Sequence, residues 1–108
     1  MNAAGTSMER GKLLDECAVT LGTSWARALG EAVLREQRVV AGGFPGTVPE
    51  ARWRVARYVG AELARLELSP LRPDEASTAV DATYARARRE WLHLVRGGER
   101  RARNGHDQ

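Results

Sequence analysis

The chain has 108 residues, room for one domain that buries roughly two-thirds of its unfolded surface. Hydrophobic residues make up 43% and charged residues 29%, a globular balance rather than a disordered one. A single cysteine excludes an internal disulfide framework or a multi-cysteine zinc site, no apolar run nears the ~20 residues of a membrane span, and Met1–Ser7 lacks the basic start and apolar stretch of a signal peptide; a protein of a bacterial-type cytoplasm, with no membrane partner, is expected.

Two clusters of glycine and proline, Ala41–Gly46 and Ser69–Pro73, divide the chain into three segments with helical periodicity. The first, from about Glu9 to Val40, carries Leu14, Ala18, Leu21, Trp25, Ala28 and Ala32 at alternating spacings of four and three, widened by Cys17, Leu29 and Val33. Gly22 is its weak point, costing about 1 kcal/mol relative to alanine. Thr23 and Ser24 follow it and suit a new helix cap, so the segment reads as one long helix or as two broken at Leu21–Ser24. The second segment has the clearest start. Thr47 fits the N-cap, Pro49 the first turn and Glu50 the capping-box position. Its stripe is Val48, Ala51, Val55, Tyr58, Val59, Leu63 and Leu66. Trp53 falls about 160° from Val55 on a helical wheel, beside Ala56, Gly60 and Ala64, and gives this helix a second, shallower apolar face. The third segment opens at Pro73-Asp74-Glu75, which suits a helix dipole. It carries Ala76, Val80, Tyr84, Ala87, Trp91, Leu94 and Val95, with Gly97 as the expected stop.

No segment alternates with the period of a strand. The sequence therefore predicts an all-α bundle of three helices, or four if Gly22 breaks the first. It occupies residues 9–96, with a flexible N-terminus over 1–8, a basic flexible tail over 97–108, and successive helices antiparallel.

Chemistry is sparse. His93, His106 and Cys17 match no metal-ligand spacing, and no phosphate loop, dinucleotide fingerprint or nucleophile elbow is present. Cys17 lies on an apolar stripe and reads as a structural thiol. Gly42–Thr47 precedes a helix N-terminus but lacks the lysine of a phosphate loop, so it reads as a connector. Glu36 and Glu62 fall on apolar stripes, where an acid snorkels outward or pairs with arginine. No catalytic residue, metal or cofactor is expected.

Two surfaces remain as binding candidates. Lys12 is the only lysine among 17 basic residues, and Arg86 to Arg103 holds seven arginines against Glu90 and Glu99, a local charge of +5 that exceeds the chain's net +3. Arg86, Arg89, His93, Arg96 and Arg100 are spaced three and four apart, so they line one helix face able to follow nucleic-acid phosphates. The alternative is a face for a protein partner or a second copy, formed by Trp53, Arg57, Gly60 and Ala64, since tryptophan and arginine dominate interface energetics. Ala18–Ser24 also has the arrangement of a helix-turn-helix turn, with Ala18 and Ala28 at small and apolar positions but Glu31 where another apolar residue is required. The sequence thus predicts a small non-enzymatic regulator that binds nucleic acid through its basic C-terminal helix, or else an interaction module using the Trp53 face.

Overall fold

The computed structural model describes the backbone of residues 7–35 and 43–106, and the side chains of 8–33 and 43–96. These residues form three helices and no strand: α1 (Ser7–Arg35), α2 (Val48–Arg65) and α3 (Pro73–His106). The expected all-α bundle is present with three helices rather than four, because α1 runs unbroken through Gly22. The helix-turn-helix reading of Ala18–Ser24 falls with the break. Nor does Gly97 stop α3, whose backbone continues to His106. Glycine is permitted at a helix stop without enforcing one, and Glu99, Arg100, Arg101 and Ala102 beyond it are good helix formers.

The most extensive packing joins α1 to α3, not successive helices. The two run parallel. Arg10 meets Glu75, Gly22 meets Thr83 and Ala87, and Gly30 meets Trp91 and Leu94. Small residues line this seam: Ala18 and Ala26 on α1 and Ala79, Thr83 and Ala87 on α3 are all buried, as are Gly22 and Gly30. Spacing by four keeps each set on one helix face, and short side chains let the helix axes approach. Approach is closest at Gly22, where an added Cβ would lie 2.6 Å from the Thr83 carbonyl oxygen and 2.8 Å from the Arg86 Cβ.

Helix α2 returns antiparallel to α1. Near its start Arg54 stacks over Trp25 at 5.3 Å. Thr47 caps it as expected, its hydroxyl accepting the Glu50 N–H at 3.2 Å and donating to the Glu50 carboxylate at 3.2 Å. Its buried stripe is narrow: Ala51, Val55, Val59 and Leu63 are each at most 1% exposed. Val48, Tyr58 and Leu66, expected on the stripe, are instead 38–43% exposed, because a single i, i+4 row faces the other helices and these three lie beyond its margins. On α1, Ala28 is likewise exposed rather than core. Trp25 and Trp91 are core anchors, at 1% and 2% exposure. Phe44 joins them from the connector, 4.8 Å centroid to centroid from Trp25 and 5.9 Å from Trp91. Tyr84 completes the aromatic cluster, and its hydroxyl donates to the Gly46 carbonyl at 3.3 Å. The connector is thus a plug: at Gly46 a Cβ would fall 2.5 Å from the Trp25 ring.

An ion-pair clasp closes the other end. Arg10 donates through Nε to Glu75 at 2.8 Å and through Nη2 at 3.0 Å, while Nη2 also reaches the carbonyls of Ser69 and Pro70 at 2.9 and 3.0 Å. The Arg72 N–H donates to the same carboxylate at 3.0 Å. One guanidinium therefore ties α1 to the α2–α3 connector and to the first turn of α3. The Arg10 hydrogen bonds, assisted by the Arg72 N–H, hold the Glu75 carboxyl well below the usual carboxylate range, at about 2.

Two measurements test this packing. Gly22→Ala gains about 1 kcal/mol of helix propensity but drives a methyl group into the α3 backbone, so a net loss of about 1–3 kcal/mol is expected in chemical denaturation. Gly60→Ala, where a Cβ meets nothing within 4 Å, should instead stabilise by about 1 kcal/mol. The clasp sets an acid limit. The carboxyl has a folded pKa of about 2, below its unfolded value, so its contribution is complete above the unfolded value and fades as pH falls toward 2. Stability measured between pH 6 and pH 2 should fall less steeply in Glu75→Gln, which should also cost about 1–3 kcal/mol at neutral pH.

Candidate functional site

The basic face of α3 starts from the seam. With Thr83 and Ala87 locked against α1, the helical repeat turns Arg89, His93 and Arg96 outward, and all three are exposed. Arg86 is different. It lies at the margin of the seam, half-buried, and its Nε donates to Thr23 Oγ1 at 3.2 Å. The expectation that it belongs wholly to the exposed stripe is corrected: one step round the helix from Ala87, it fastens α3 to α1. Arg100 has its backbone in α3, and its side chain lies outside the described residues, as do those of Arg101 and Arg103.

Glu90 is the only acid between residues 82 and 96. It is turned toward α1, its side chain 14% exposed, and accepts from Arg27 Nε at 3.2 Å. The outer face of this stretch therefore presents cations without an exposed acid among them. Arg88 adds another, resting over the Tyr84 ring at 6.0 Å. Leu92, 50% exposed, lies among these arginines and was not singled out from the sequence; its place between the two charged rows of α3 was the available signal.

The Trp53 face is also present as a surface. Trp53 is 59% exposed, with the Arg57 guanidinium over its ring at 5.4 Å. Ala56 and Ala64 are exposed beside it and Gly60 faces open space. Among the described residues no other helix covers this side of α2, so there the second apolar face is not sandwiched within the bundle. Along its α1 margin, Trp53, Arg57, Tyr58 and Ala61 border a shallow groove with Leu21.

Cys17 and Glu62, the other groups singled out from the sequence, are held within the bundle's own packing and ion pairs. Cys17 is 6% exposed, and burial, with the charges of Glu62 and Glu16, pushes its thiol pKa up, away from thiolate chemistry. Glu62 pairs with Arg65, the arginine partnership expected of it; Glu36 lies outside the described residues. A groove between the first halves of α1 and α3, about 320 Å³, is bordered by Arg10, Asp15, Arg72, Asp74 and Glu75. Arg10 pairs with Glu75 there, and Arg72 with Asp74 at 3.4 Å. Among the described residues no group of three His, Cys, Asp or Glu side chains is gathered as for a metal, and no helix is long and apolar enough to cross a membrane.

Comparison with models of known families, with curated proteins and with solved structures finds no match for this chain.

The burial contrast between tryptophans gives a direct test. Trp53→Ala should leave monomer stability within about 0.5 kcal/mol of the parent, as for a surface substitution. Trp91→Ala should cost about 3–5 kcal/mol. Urea denaturation of both variants at low protein concentration separates a surface tryptophan from a core one; a loss at Trp53 comparable to that at Trp91 would refute its placement.

Proposed function

We propose that this protein binds nucleic acid through the outer face of α3, gripping the phosphate backbone with Arg89 and Arg96 and with His93 between them. The observation that carries the reading is the inward turn of Glu90 onto Arg27, which leaves the outward side of residues 82–96 cationic. The sequence gives the same helix further arginines at 100, 101 and 103, and the α3 backbone remains helical through them. Guanidinium groups hold phosphate oxygens in a bidentate fork, and each neutralised phosphate releases condensed counterion. Contacts of this kind position a protein on the duplex without reading bases. The role that fits is a small regulatory or architectural protein rather than an enzyme.

Arg86 is a poor probe of this reading because its loss also loosens the α1–α3 seam. Arg89 and Arg96 are exposed and, among the described residues, engage no other helix. Arg89→Ala with Arg96→Ala should lower affinity about equally for two duplexes of unrelated sequence. The slope of log affinity against log salt should shrink by up to ~2, near one for each lost phosphate contact. Fluorescence anisotropy across a salt series measures both. An unchanged slope and affinity in the double variant would overturn the assignment.

A further inference from the structure

We propose that the outer face of α2 is a docking surface for a second copy of this chain, paired antiparallel about a two-fold axis beside Gly60. The face is complementary to itself in only one direction. Its first half carries the bulk, Trp53, with Arg57 stacked on the ring. Its second half carries the space, Gly60 and Ala64, and among the described residues nothing lies within 4 Å of a Cβ built on Gly60. At 3.6 residues per turn, Trp53, Ala56, Gly60 and Ala64 form one stripe along α2. Antiparallel pairing sets Trp53 of each copy over the Gly60–Ala64 half of the other, large against small. Parallel pairing sets Trp53 against Trp53.

Charge follows the same rule. Arg52 and Glu67 are both exposed and lie at opposite ends of the face, Arg52 near the start of α2 and Glu67 just past its end. The antiparallel register brings Arg52 of one copy level with Glu67 of the second, twice over. Parallel pairing leaves Arg52 level with Arg52 and Glu67 level with Glu67, with no opposite charges at the same height. The nearby cations Arg54 and Arg65 are engaged within their own copy, by the Trp25 ring and by Glu62. Glu67 also stands where glycine is the unstrained choice. It has φ 57° and ends α2 in a Schellman turn, with the Glu67 N–H on the Ala64 carbonyl at 3.1 Å and the Leu68 N–H on the Leu63 carbonyl at 2.9 Å. A carboxylate therefore stands at this corner in a backbone conformation that disfavours any side chain with a Cβ.

The seam is short. The 18 residues of α2 span about 27 Å, so the contact falls below the ~800 Å² per partner of a standard interface. A reversible dimer, dissociating in roughly the micromolar to submillimolar range, is expected.

Sedimentation velocity at low salt, over a concentration series reaching about a millimolar, tests the pairing. The parent chain should shift from monomer to dimer, and Trp53→Ala should weaken association tenfold or more. Arg52→Glu alone opposes two carboxylates, and Glu67→Arg alone opposes two guanidiniums, so each variant should remain monomeric. An equimolar mixture of the two variants should dimerise, because every cross-copy pair is then opposite in charge. Circular dichroism confirms that each variant is folded. A parent chain monomeric throughout, a mixture that fails to associate, or a dimer indifferent to both charge reversals and to Trp53→Ala would overturn the proposal.

Discussion

The close approach of two parallel helices at Gly22 governs the rest of the molecule. A Cβ at this position would lie 2.6 Å from the Thr83 carbonyl oxygen, so α1 and α3 pack here almost backbone to backbone. Contact this intimate is unforgiving of rotation or sliding. It leaves one register, visible in the cross-links along the pair: Arg10 with Glu75, Thr23 with Arg86, and Arg27 with Glu90 are separated by 65, 63 and 63 residues. A near-constant separation is what two parallel helices of equal rise must show. The part-buried Arg10–Glu75 clasp reinforces one end, and the aromatic plug around Phe44 fills the space that opens where α2 begins.

The orientation of the basic face follows from this register rather than from the arginines themselves. Arginines repel one another and have no preference among solvent-facing directions that would fix a helix. Thr83 and Ala87, held against α1, do fix it. They carry Glu90 inward, where Arg27 meets it, and Arg89, His93 and Arg96 outward. The electrostatic character of the outer surface thus rests on small uncharged residues on the opposite side of the same helix. Arg86 lies at the boundary, close enough to Thr23 to be part of the seam and close enough to Arg89 to add to the field above it.

Large apolar residues made the helices readable, and small ones hid their arrangement. Trp25, Trp91, Val55, Val59 and Leu63 recur at helical spacing, so the segments and their main buried sides follow from periodicity. The cap at Thr47 and the start of α3 at Pro73 follow from local backbone chemistry. The α1–α3 seam did not stand out, since Ala26, Ala79 and Thr83 contribute little to an apolar pattern and Gly22 reads locally as a propensity cost. Its value as a point of close approach exists only in the presence of α3. The Arg10–Glu75 clasp spans 65 residues and has no local signature at all. Of the candidate surfaces, Trp53 was legible because it is displaced from the stripe of its own helix. The inward turn of Glu90 was not, because it depends on Arg27 from another helix.

The geometry also relates the two surfaces to each other. Trp91 packs on Phe44, beside the start of α2, and Arg89 lies about 160° round α3 from Trp91. The cationic face of α3 is therefore turned away from α2, whose Trp53 stripe points outward from the other side of the bundle. Pairing through α2, as proposed, would leave the arginine faces of both copies open. Two faces on one assembly that grip phosphate as proposed would act with an effective concentration set by their separation, so a helix face with few contacts would gain affinity without gaining residues. For a chain whose net charge is only +3, such doubling offers a physical route from a weak electrostatic contact to a useful one.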